Sequence, residues 1–206
     1  MKHYRVHASQ GSALDWTQAC VLTDFTFPWD DREPPATEFR ALWDEERLHF
    51  RFDCVDHDFV LDTSATLRER VIGSDRVEVF LSPGLELDPY FCLEMDPRGE
   101  VLAYRCRTYR QFDWEWQCPG IDLAATMAGS TYVVVGSVPL ATLRSLHVLR
   151  AGSCEFFTGV YRAEFSHQPD GSIHAGWLTW CSPGTPTPDF HVPGSFGKFE
   201  LVDFTG

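Results

Sequence analysis

The stretch Phe39-Arg40-Ala41-Leu42-Trp43-Asp44-Glu45-Glu46-Arg47-Leu48-His49-Phe50-Arg51-Phe52-Asp53-Cys54 decides the fold class. Phe39, Ala41 and Trp43 alternate with Glu38, Arg40 and Leu42. Leu48, Phe50, Phe52 and Cys54 then alternate with His49, Arg51 and Asp53. A period of two places each apolar set on one side of an extended chain. The charged Asp44-Glu45-Glu46 between the two runs reads as a hairpin turn. The same pattern continues outward. Val77, Val79 and Leu81 alternate with Glu78 and Phe80, and Phe91, Leu93 and Met95 with Cys92 and Glu94. Asp96-Pro97-Arg98-Gly99 carries turn residues in turn order. Further strands are predicted over residues 101–107, 132–138, 156–166 and 199–202. Helical signals are confined to residues 64–70, with Ser64 as N-cap, and residues 139–146, opened by Pro139. Many short alternating runs punctuated by turns predict an all-β chain. The expected architecture is an antiparallel β-sandwich, jelly-roll or immunoglobulin-like, with one or two short helices and one domain over residues 1–206.

Two proline-rich stretches interrupt the pattern. Residues 27–35 read as a surface strap or N-terminal linker. Residues 181–197 hold four prolines and three glycines and read as a long loop of the kind that often carries function. The chain has 206 residues, with 17 Lys+Arg against 30 Asp+Glu and a net charge of −13. Lys2 and Lys198 are its only lysines. This balance argues against nucleic acid, which needs a basic surface. No apolar run approaches the ~20 residues that span a bilayer, so no membrane partner is expected. No apolar stretch follows the basic start, so a cytoplasmic protein is expected, or a secreted one if a leader was trimmed. The seven cysteines show no C-x-x-C pair, so spacing gives no zinc site, and buried reduced thiols are expected.

Alternation sets Glu78, Glu94, Arg162 and Glu164 opposite the apolar faces. On one sheet these would form a charged floor able to exchange hydrogen bonds with sugar hydroxyls, although antiparallel sheets commonly have one solvated face. Among the seven tryptophans, Trp114 and Trp116 lie in a dense aromatic segment, and Trp177 and Trp180 precede the long loop. Flat rings at strand ends make stacking platforms or plugs for the sandwich. Asp53, Asp56 and Asp58 offer alternate carboxylates that can share a calcium ion, outside any EF-hand pattern. No other cofactor is expected. Catalytic motifs are absent, and no residue is read as catalytic: there is no G-x-S-x-G, H-E-x-x-H or phosphate loop. Glu78 and Glu94 could in principle be a glycosidase pair, but nothing in the sequence sets their separation.

Five segments in order resemble family 9-like carbohydrate-binding modules. Residues 41–52 look like their A-x-W-D-D-x-x-L-Y-v-x-F hairpin, and residues 74–83 like D-x-V-E-v-F-l-d-p. Residues 90–102 look like Y-y-x-f-E-v-n-P-x-G-x-v-l, and residues 159–165 like w-R-v-n-f. The closing W-s-p … F-H-x-P-x-x-F-G is matched by Trp180-Cys181-Ser182-Pro183 and residues 190–197. The resemblance covers residues 35–203. It implies a DOMON-like sandwich that binds saccharides without catalysis, often at a chain end between two aromatic rings, and can carry structural calcium. By motif position it implies Trp180 as the platform and Glu78 as an acceptor of sugar hydroxyls, with Glu94 and Arg162 on matching strands. One departure stands out. Where xylanase-linked members place a stacking Trp, this chain reads Arg70-Val71-Ile72-Gly73, so Trp114, Trp116 or Trp177 would have to supply the second ring. The competing expectation is a carbohydrate-active enzyme, or an accessory domain of the same fold with another small-molecule ligand.

Overall fold

The hairpin is formed as expected in the computed structural model, which describes residues 1–9 and 13–203. In chain order the strands are β1 (His3–Ala8), β2 (Thr37–Trp43), β3 (Arg47–Val55), β4 (Arg76–Ser82), β5 (Tyr90–Met95) and β6 (Val101–Cys106). They continue with β7 (Phe112–Asp113), β8 (Asp122–Ala128), β9 (Thr131–Pro139), β10 (Glu155–His167), β11 (Ile173–Thr179) and β12 (Gly197–Val202). The helices are α1 (Leu67–Ile72) and α2 (Leu140–Ser145). Helix α1 begins later than Ser64. Thr66 caps it instead, because the Thr66 hydroxyl accepts from Glu69 N while the Glu69 carboxylate accepts from Thr66 N.

The strands run in the order β7-β6-β5-β4-β10-β12-β1-β2-β3-β9-β8, with β11 also on β10. Strand β10 makes a sandwich of this sheet. One of its edges pairs with β4; the other pairs with β12 through Glu155–Thr158 and then with β11 from Tyr161 onward. The sheet curls there, and its two halves face each other. Phe39, Phe50, Phe52, Tyr132 and Val134 from one half share a core with Val77, Val79, Leu93 and Met95 from the other. Burying each such side chain contributes roughly 1.5–3 kcal/mol.

The sheet is mixed rather than wholly antiparallel. Strand β1, unpredicted from the sequence, runs parallel to both β12 and β2. The connection over residues 9–36 is long enough for the crossover that parallel neighbours require. The proline-rich strap lies in this connection. Thr26 bridges to Thr179, and Trp29 Nε1 donates to Thr185 O at 2.7 Å.

Arg162 departs from the expected charged floor. It follows the same alternation as Val160 and points between the layers, with no solvent exposure. Its guanidinium donates to Thr37 Oγ1 at 3.0 Å and to Val55 O at 2.9 Å, and lies 3.4 Å from Asp56. Tyr132 covers it, with its ring centroid 5.4 Å from the guanidinium carbon. Arg162 therefore ties the two halves together from inside. Arg162→Ala should lower unfolding stability by about 3–5 kcal/mol, because Asp56 is left buried and unpaired. Urea denaturation with an unchanged m-value checks this.

Candidate functional site

Strands β4 and β5 are buried along their whole length, so their outer face is covered too. The cover is the loop over residues 181–197. Its Phe190 ring lies flat on Tyr161, with centroids 4.2 Å apart and planes 5° from parallel. Tyr161 Oη and Ser195 Oγ are hydrogen-bonded at 2.8 Å, which fixes the far end of the loop. The Tyr161 phenol can fold back over Gly159 only because that residue has no Cβ, which would come within 1.9 Å of its oxygen.

Beside this aromatic patch a cavity of about 390 Å³ stays open. That lies within the ~300–1,000 Å³ range of small-molecule sites. Its floor comes from register. Glu78 of β4 stands directly opposite Glu94 of β5, and Arg76 lies two residues back on the same face. Arg76 Nε is 3.0 Å from Glu78 Oε1 and 2.8 Å from Glu94 Oε2, at ion-pair distance. These three buried atoms meet as ion pairs and have no other hydrogen-bond partner in the protein. Tyr104 Oη donates to the other Glu94 oxygen at 2.6 Å.

The walls are aromatic. Trp177 covers Arg76, with its ring centroid 5.3 Å from the guanidinium carbon. Trp114 faces the cavity from another side, stacked on Phe112 at 4.7 Å and packed on Tyr104 at 4.6 Å. Pro188, Asp189, Phe190 and His191 descend from the long loop, and Arg110 and Ile72 complete the lining. Ile72 thus stands at the cavity where the resemblance implies a stacking Trp.

Burial, then the neighbouring Glu94 charge, pushes the Glu78 carboxyl up to about 8. Burial opposes the Arg76 charge, but Glu94 and Glu78 outweigh it and raise its pKa. At neutral pH the floor therefore holds a guanidinium beside a Glu78 carboxyl that keeps its proton, so donors and acceptors lie side by side. Asp189 is also partly buried, but hydrogen bonds from Tyr109 Oη and His191 N keep its carboxyl low. Behind His191, the Cys106 thiol is lowered to about 5, chiefly by its hydrogen bond with Cys92 and then by His191 and Tyr90.

Four of the seven expected ligand-binding residues meet here: Glu78, Glu94, Trp114 and Trp177. Trp180 does not. Its ring is in the core against Phe199, and it crosses so close to Gly197 that a Cβ there would lie 2.2 Å from a ring carbon. Trp177 and Trp180 are three positions apart, so a chain that stays extended sends them to opposite faces. Trp180 and Glu78 therefore belong to different sides of the layer. Trp116 likewise packs inward on Phe91 at 5.1 Å, and Arg162 lies between the layers. The acidic residues of the expected calcium site each have a basic side chain as neighbour. Asp53 meets Arg40 and Arg51, Asp56 meets Arg162, and Asp58 meets His167. Arg76, Tyr104, Phe112, Asp189 and His191 were missed as site residues. For Arg76 the signal was present: it shares the phase of Glu78.

A family model described as carbohydrate family 9 binding domain-like matches residues 11–204. The chain belongs to this family. The match reaches further toward the N-terminus than the motif resemblance and takes in the strap. Among solved structures, this family 9 chain is similar to a proposed carbohydrate-binding protein from Bacteroides uniformis. The TM-score is 0.71 at 18% identity, covering 98% of this chain and 99% of that one. It is also similar to a family 9 carbohydrate-binding module from Caldicellulosiruptor kristjanssonii in complex with cellotriose, with TM-score 0.65, 12% identity and coverage of 99% and 95%. A family 9 module from the same organism in complex with glucose gives 0.55 at 15% identity, covering 98% and 97%. These identities establish a shared fold. No curated protein matches the chain.

The raised Glu78 carboxyl ties stability to pH. Its folded pKa exceeds the ordinary 4.5, so between about pH 4.5 and 8 the folded state holds a proton that the unfolded state has lost. Stability should fall as pH rises through that window, by up to about 1.4 kcal/mol per pH unit. Asp75, raised by burial to about 7, acts in the same direction. Urea midpoints for Glu78→Gln should vary less with pH than those of the parent, most clearly between pH 7 and 8.

Proposed function

We propose that the family 9 chain binds a saccharide in this cavity and does not transform it. The observation that carries the reading is the pairing, around one cavity, of two tryptophans, Trp114 and Trp177, with a charged floor of Arg76, Glu78 and Glu94. A pyranose offers an apolar C–H face for the rings and a fringe of hydroxyls for the floor. Glu94 accepts from a hydroxyl, while Arg76 and the protonated Glu78 donate. The loop closes one side of the cavity, which favours the end of a glycan over an internal stretch. The neighbouring family 9 modules solved with cellotriose and glucose make gluco-configured sugars the first probes.

The second reading, a carbohydrate-active enzyme, draws on the raised Glu78 carboxyl, since a glycosidase needs an acid protonated near neutrality. Against it, Glu78 and Glu94 are side by side on one floor and share Arg76, not set on two sides of a scissile bond. Chromogenic glycosides should show no turnover above that of Glu78→Gln.

Isothermal titration with glucose, cellobiose and cellotriose, with free and blocked reducing ends, tests the binding reading. Trp114→Ala and Trp177→Ala should each weaken binding about tenfold or more, in line with the ~1–3 kcal/mol that an aromatic stacking partner contributes. Trp116→Ala should leave affinity within about twofold, because its ring faces the core end. Saturable binding unaffected by both cavity variants would place the ligand elsewhere.

A further inference from the structure

Behind the His191 wall, three metal-binding side chains converge. Cys92 on β5 and Cys106 on β6 project from the same outer face as Glu94. The register pairs Cys92 with Tyr104 and Tyr90 with Cys106, which makes the two thiols diagonal neighbours. His191 reaches them from the long loop. One donor atom from each residue lies within 4.8 Å of the other two, the only such group of three or more His, Cys, Asp or Glu among the described residues. Both cysteines have no solvent exposure. The imidazole is held in place: Tyr90 Oη and His191 Nδ1 are hydrogen-bonded at 2.8 Å, and Phe80 and Phe112 flank the ring at 5.3 and 5.5 Å.

The chemistry of the set selects its ion. Two sulfurs and one imidazole, with no carboxylate, suit a soft or borderline cation and disfavour calcium or magnesium. Two Cys and one His leave one position of a tetrahedron for water, a known zinc arrangement. Two thiolates also neutralise one divalent ion, so the filled site would carry no net charge into the buried layer. We propose that Cys92, Cys106 and His191 form a binding site for one zinc ion. Any thiol proton displaced on binding passes to solvent, and no electron is transferred. The ion would pin the loop carrying Asp189 and Phe190 to β5 and β6. It would thus brace one wall of the saccharide cavity from behind, without touching the floor.

The site stands independently of the saccharide reading, because metal binding is measured with no sugar present. The full chain, reduced, stripped of metal and kept anaerobic, is titrated with Zn(II) against a chromophoric chelator. A parallel titration with Co(II) is followed by absorption. One equivalent should bind, and Co(II) should show a thiolate-to-metal charge-transfer band. Cys92→Ser and Cys106→Ser should each remove that band and weaken Zn(II) binding by about 100-fold. Cys154→Ser, at the exposed cysteine, should change neither. His191→Asn alters a loop residue rather than a buried strand; it should keep the near-ultraviolet dichroism of the parent and still lose affinity by about tenfold or more. No stoichiometric binding by the reduced parent, or binding that survives both Cys106→Ser and His191→Asn, overturns the proposal.

Discussion

The flat contact between Tyr161 and Phe190 is the interaction on which the outer face depends. It holds the loop over residues 181–197 against a strand of the sheet, and through the loop it buries a face that would otherwise meet water. Without that cover Arg76, Glu78 and Glu94 would be ordinary surface charges, screened and of little consequence. Under it, the same three side chains become a low-dielectric cluster in which one carboxyl keeps its proton near neutrality. The cavity's acid–base character therefore follows from an aromatic stack, and the stack in turn relies on Gly159, whose missing side chain makes room for the Tyr161 ring.

The layers were largely legible in the amino-acid sequence because alternation is a local signal. The hairpin over residues 39–54 and the β4–β5 pair read correctly, since each apolar phase meets the same core. Strand β1 escaped because the alternation in His3–Ala8 is too short to weigh, and its partners are remote in the chain. The start of α1 escaped for a different reason: Ser64 and Thr66 are equally good caps in isolation. Only the reciprocal Glu69 contact separates them.

The site was half legible. Glu78 and Glu94 follow from phase, and Trp177 from its place near a strand end. Trp180 matches the closing family motif yet faces inward, because a ring's value as a platform depends on which face it occupies as well as on its type. Arg162 shows a further limit. Alternation sorts residues by face without saying which face is wet, and carbonyl, hydroxyl and carboxylate partners can hold an arginine in the interior. The cysteine–histidine cluster is invisible to spacing rules, since its members come from two strands and a distant loop.

Strand β10 carries one more consequence. It belongs to both layers at once, pairing with β12 at one end and β11 at the other while β4 runs along its opposite edge. The layers cannot hinge or slide past each other without breaking that ladder, and Arg162 rivets them from within. The cavity floor, carried by β4 and β5 next to β10, is therefore fixed by that ladder, while its walls come mostly from loops. For the proposed saccharide, these floor side chains would already be in position, so they would surrender little conformational freedom on association. Affinity would then turn on how well the sugar's hydroxyls suit that floor, not on the cost of assembling it.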